Sequence, residues 1–139
     1  MKTVAVFESQ AFNQTEPKES FINPCCFGDD LALWLMGELE QHGVDVSDEP
    51  GQEDFGWYFE FTTGGEKYCL VISSDGEGEW ALVVERACGL FASLLGGRHR
   101  NVGRSGLDAI GEVLANSDRI ENLRWLAWEE FRKGDALAG

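Results

Sequence analysis

Bases are scarce in this 139-residue chain. Eleven lysines and arginines face 25 aspartates and glutamates, for a formal net charge of −14. A surface of that sign repels phosphate backbones and anionic headgroups, which disfavours general nucleic-acid binding and docking on acidic membranes. Histidine is scarcer still: there are two, so triad chemistry has little to draw on. No Gly-x-Ser-x-Gly elbow and no His-Glu-x-x-His pair occurs. The phosphate-cradling patterns Gly-x-x-x-x-Gly-Lys-Ser/Thr and Gly-x-Gly-x-x-Gly are missing as well.

No apolar run approaches the roughly 20 residues a membrane-spanning helix needs. The stretch Met1–Gln10 is too short and too polar for a secretory signal. A cytoplasmic protein is the expectation. The four cysteines, Cys25, Cys26, Cys69 and Cys88, show no Cys-x-x-Cys spacing. Free thiols in a reducing compartment are expected, with no metal and no cofactor.

What is present is material for a core. Hydrophobic residues make up 43% of the chain, with five tryptophans and nine phenylalanines. That supplies enough apolar area for one folded domain over residues 1–139, with 131–139 read as a loose tail.

Periodicity assigns the elements. "KTVAVFES" is β-branched and apolar and reads as a strand. In "GDDLALWLMGELEQHG", Leu31, Trp34, Leu35 and Leu39 fall on one helical stripe. Asp29 and Asp30 sit in its first turn, at the positive end of the helix dipole. Gly43 suits its stop, and Gly37 inside it is expected to permit close approach of a strand. "VDVSDEPGQED" reads as an acidic linker. "GWYFEFTT", "KYCLVISS" and "EWALVVER" then alternate as strands do, with Trp57, Phe59 and Phe61, then Tyr68, Leu70 and Ile72, then Trp80, Leu82 and Val84 on one face. "TGGE" and "SDGEGE" between them are hairpin turns. A second helix spans "SGLDAIGEVLANSD", with Ser105 as cap and Asn116 as stop. "RIENLRWLAWEEF" fits a strand or a helix. The expected fold is α+β: an antiparallel sheet with two helices packed on one face, in two layers, ordered β-α-β-β-β-α-β. Trp34, Trp57, Trp80 and Trp125 are expected in the layer between helices and sheet.

Asn23, Pro24, Gly28, Asp30, Leu31, Trp34, Leu35, Gly56, Trp57, Arg124 and Trp125 together resemble the pattern of a group of small uncharacterised bacterial proteins. That pattern is an Asn-Pro, then Gly-x-Asp-Leu-Ala-x-Trp-Leu on the first helix, a Gly-Trp strand and a closing Arg-Trp strand. The resemblance spans roughly residues 21–126. It implies a strand at 122–128 and no activity, and the Cys25–Cys26 pair lies outside it.

Three candidate sites remain, each with a plainer reading beside it. Cys26, near a helix N-terminus, is a candidate reactive thiol; the acids Asp29 and Asp30 oppose its ionisation, and an inert thiol is the plainer reading. Asp30 at the helix mouth is a candidate acid or base, or simply a cap or a tether to a neighbouring loop. Arg98, His99, Arg100 and Arg104 cluster among glycines ahead of a helix and form a candidate anion site, or a surface loop paired with nearby acids. "SDGEGE" lacks calcium-loop spacing and reads as a hairpin tip. From these features two functions are expected. The first is a small acidic cytosolic protein-binding module, adaptor-like or immunity-protein-like, with a basic protein partner. The alternative is a small-molecule or anion binder, or an enzyme, with a pocket between sheet and helices near Asp30 and the 98–104 loop.

Overall fold

The computed structural model describes residues 2–13, 27–53, 56–75, 77–86 and 102–134. Among them, seven strands form one antiparallel sheet. They are β1 (Lys2–Glu8), β2 (Asp45–Val46), β3 (Gly51–Glu53), β4 (Gly56–Thr63), β5 (Glu66–Ser74), β6 (Glu79–Arg86) and β7 (Glu121–Ala127). The helices are α1 (Asp29–Gln41), α2 (Arg104–Ala115) and a short α3 (Trp128–Gly134). The α+β class and the two main helices are as the sequence predicts.

The order across the sheet is β2-β4-β5-β6-β1-β7, with β3 also paired to β4. The alternating segments form the β4-β5-β6 meander. Gly64 and Gly65 both take positive φ, 62° and 80°, as the tight turn between β4 and β5 requires. At the other hairpin, Asp75 Oδ1 accepts the backbone N–H groups of Glu77 (2.7 Å) and Glu79 (3.1 Å). That carboxylate therefore shapes the turn.

Alternation places Ala5, Phe7, Trp57, Phe59, Phe61, Tyr68, Leu70, Ile72, Trp80, Leu82 and Val84 on one face, in a single core with α1 and α2. From α1 come Leu31, Ala32, Leu35, Met36 and Leu39; from α2 come Ile110, Val113 and Leu114. Trp34 and Trp125 pack on this core half-buried. Each fully buried large side chain contributes about 1.5–3 kcal/mol, so this layer dominates stability. The opposite face buries Val4, Val6, Ala81 and Val83, with Leu126, Trp128 and Phe131 against them.

Five expectations need correction. The acidic linker contains two short strands, because Asp45–Val46 and Gly51–Glu53 each pair with β4. Gly37 permits no close approach of a strand: among the described residues nothing lies within 4 Å of where its Cβ would stand. Ser105 is not the cap of α2; Gly103 holds that position and Ser105 lies in the first turn. The ambiguous C-terminal segment is both things in turn, a strand to Ala127 and a helix from Trp128. Consequently residues 131–134, read as the start of a tail, are helical, and a third helix packs on the second face of the sheet. Residues 135–139 lie outside the described residues.

Candidate functional site

Gly28 holds the cap position ahead of α1; its φ of 136° is open to glycine alone and brings its backbone against Ile72 and Trp57. Asp30, in the first turn, is half-buried. Its Oδ2 accepts the backbone N–H of Asn13 at 2.8 Å. The carboxylate thus ties the segment after β1 to the start of α1. Next to that tie, Phe12 packs on Trp34 and Trp80, with ring centroids 5.5 and 6.1 Å away. The Trp80 indole N–H donates to the Ser9 carbonyl at 3.3 Å. Asp30 therefore stands in a tethering position, with one oxygen on the Asn13 amide.

Arg104 opens α2 and is exposed. Its guanidinium pairs with Asp108, one turn on, at 3.2 Å. Exposed pairs at this spacing contribute only about 0.3–0.5 kcal/mol. Arg104 lines a cleft of about 350 Å³ with Lys2, Leu107, Asp108, Gly111, Glu112 and Trp125. Behind it, the buried Tyr68 hydroxyl meets Ser105 Oγ at 3.0 Å and donates to Glu66 Oε2 at 3.1 Å. This cluster anchors α2 to the β4–β5 turn.

The fold does not bring Asp30 and Arg104 together. The start of α1 lies by Trp57 and Ile72, at the far end of the β4–β5 hairpin. The start of α2 lies by Thr63, Gly64 and Tyr68, at its turn. The two N-termini therefore lie at opposite ends of that hairpin. Arg98, His99, Arg100 and Cys26 lie outside the described residues. Among the described residues, no group of three His, Cys, Asp or Glu is placed to hold a metal ion, and no helix is long and apolar enough to cross a membrane.

A different feature stands out once the elements are placed. From Asp29 to Glu66 the chain carries 11 acids and no lysine or arginine. That stretch builds α1, β2, β3 and β4: one edge of the sheet and the helix that covers it. Glu40, Asp45, Asp48 and Glu49 are exposed there. Lys67, just past the stretch, has its Nζ 3.8 Å from Glu60. Charge read as one net number hides this. The signal was available in the sequence as the long gap between Lys18 and Lys67.

Beside this flank, a groove of about 490 Å³ runs between α1 and the end of α2. Trp34, Glu38 and His42 line one side; Asn116, Ser117, Asp118 and Arg119 line the other. The Arg119 guanidinium sits 5.8 Å from the Trp34 ring centroid, a cation–π contact. Comparison of the chain with protein-family models, curated proteins and solved structures finds no match.

Proposed function

We propose that this chain is a small protein-binding module that docks a basic partner on its acidic flank. One observation carries the reading. Eleven of the 25 acids and none of the 11 bases fall between Asp29 and Glu66, the stretch that builds one sheet edge and the helix over it. Carboxylates so arranged repel one another, which weakens the free protein. A cationic partner relieves that repulsion and is steered to the correct side during encounter. Cytoplasmic location and an adaptor-like or immunity-protein-like role belong to the same proposal.

The test is capture of lysine- or arginine-rich proteins on the immobilised chain at about 50 and 300 mM salt, where the screening length shrinks from about 14 to 6 Å. Retention at the lower salt only is expected. It should be lost in the Asp45→Asn, Asp48→Asn, Glu49→Gln variant. Capture indifferent to both salt and these substitutions sinks the proposal.

A second reading has one observation in its favour. The cleft beneath Arg104 and Lys2 has a Trp125 wall and lies between α2 and the sheet edge. A small anion held there raises the melting temperature by binding the native state. A thermal-shift panel of anions and metabolites, repeated on Arg104→Ala, decides it.

A further inference from the structure

Four residues of α1 are exposed: Leu33, Gly37, Glu40 and Gln41. Their spacing places them on one outward stripe of the helix. Two of them are unfavourable there for the free protein. Leu33 is 57% exposed and is the single large hydrophobic residue so exposed among the described residues. Gly37, mid-helix, weakens the helix relative to alanine. Among the described residues nothing lies within 4 Å of the position its Cβ would occupy, so no contact among them requires glycine.

Together these two residues make a specific shape. Leu33 is a projecting apolar knob, and one turn on the backbone is bare. Helices that pack together place knobs beside grooves, and a glycine lets the second axis come close. The charges of α1 itself are all acidic, with Arg119 lying over Trp34 in the groove that Glu38 also lines. Glu40 shares the stripe, Glu38 flanks it, and the whole helix belongs to the base-free stretch. Charge complementarity therefore selects a cationic occupant.

We infer that the outer face of α1 is the contact surface for a basic amphipathic helix of a partner protein. Leu33 is its apolar anchor and Gly37 its point of closest approach. Glu38 and Glu40 meet lysines or arginines beside the partner's apolar stripe. Recognition is of the helix-on-face kind, read through anchors one turn apart. The inference rests on the protein-binding proposal above and adds the partner's local structure and the central contact.

The experiment is fluorescence anisotropy with two synthetic peptides of equal positive charge, at about 50 mM salt. One is a leucine–lysine sequence with helical periodicity; the other is a glycine–lysine sequence that forms no helix. The leucine–lysine peptide is expected to bind the native protein at least about tenfold more tightly. Leu33→Ala lowers that affinity about tenfold. Gly37→Leu lowers it similarly while raising the melting temperature, because leucine favours the helix. Movement of stability and binding in opposite directions separates a lost contact from a lost fold. Equal affinity for the two peptides overturns the inference, as does indifference of the leucine–lysine peptide to both substitutions. In either case salt-sensitive binding of the glycine–lysine peptide leaves the acidic-flank proposal standing. Binding of neither peptide removes both.

Discussion

Residues 29–66 and residues 102–134 are built from similar parts and carry opposite lessons. The first region, α1 to β4, holds 11 acids and no lysine or arginine. The second, α2 to α3, holds six acids and five bases, a net charge of −1. The first packs tightly: α1 buries five residues and β4 buries Trp57, Phe59 and Phe61. The second is looser at the sheet edge, where no residue of β7 is fully buried. Its pairing with β1 is broken by two register shifts, and Asn122 takes a φ of 55° beside one of them, with its side-chain amide on Glu8. The contrast teaches where repulsion can be tolerated. A well-packed region can hold unbalanced charge on its surface, because its core supplies the stabilisation. The second region has acids and bases in near balance: Arg104 pairs with Asp108 within it, and Arg124 pairs with Glu79 of β6.

The packing half of this contrast is open to the largest test. Phe59→Ala, at a site 1% exposed, should cost about 3–5 kcal/mol. Leu123→Ala on β7 should cost only about 1 kcal/mol. Denaturant midpoints read both, and equal losses break the contrast. Two glycines sharpen it next. Gly56 has a φ of 148°, and an added Cβ would press on the Ile72 carbonyl oxygen. Gly56→Ala is expected to cost about 2–4 kcal/mol. At Gly111 in α2 an added Cβ would meet Trp125 at an ordinary 3.6 Å. There alanine should stabilise by about 0.5–1 kcal/mol.

One polar link between the regions is the Tyr68 hydroxyl, which joins Glu66 to Ser105. Tyr68→Phe should cost about 1 kcal/mol in thermal unfolding. A larger loss would mean that the regions depend on one another more than the contrast allows. The smallest effect concerns charge. Neutralising Asp45, Asp48 and Glu49 should stabilise by about 0.5–1 kcal/mol in low salt, and by less in high salt. Neutralising Asp108 and Glu112 should give no such gain, since Asp108 already has Arg104. Melting curves in two salt concentrations compare the variants directly.

Much of the fold was legible. The period-2 alternation of Trp57, Phe59 and Phe61 and of Trp80, Leu82 and Val84 identifies strands with one face on a core. The α1 stripe and Gly43, with its φ of 81°, mark a helix and its end. The two short edge strands were not legible. Two or three residues carry no periodicity, and their pairing exists only because β4 lies beside them. Ser105 looked like a cap because serine is a good one; tertiary contact with Thr63 and Tyr68 claimed its hydroxyl instead. The site was legible least. Asp30 and Arg104 were visible as chemistry-bearing types, but their separation depends on which end of the β4–β5 hairpin each helix starts from. Leu33 falls off the stripe of Leu31, Trp34, Leu35 and Leu39, so its outward position was legible; only the packing showed how far it is exposed.

The order of apolar and polar residues alone settled which segments are strands and helices and which face of each is apolar, because that information is local and repeats every two or every 3.6 residues. It also settled that one stretch of chain bears unbalanced charge. Only the tertiary structure decided that β1 inserts between β6 and β7, that α3 covers the second face, and that the acidic stretch becomes one edge of the molecule. Those outcomes depend on contacts between residues far apart in the chain. An apolar face specifies that it must be covered, and the packing of the whole domain selects what covers it.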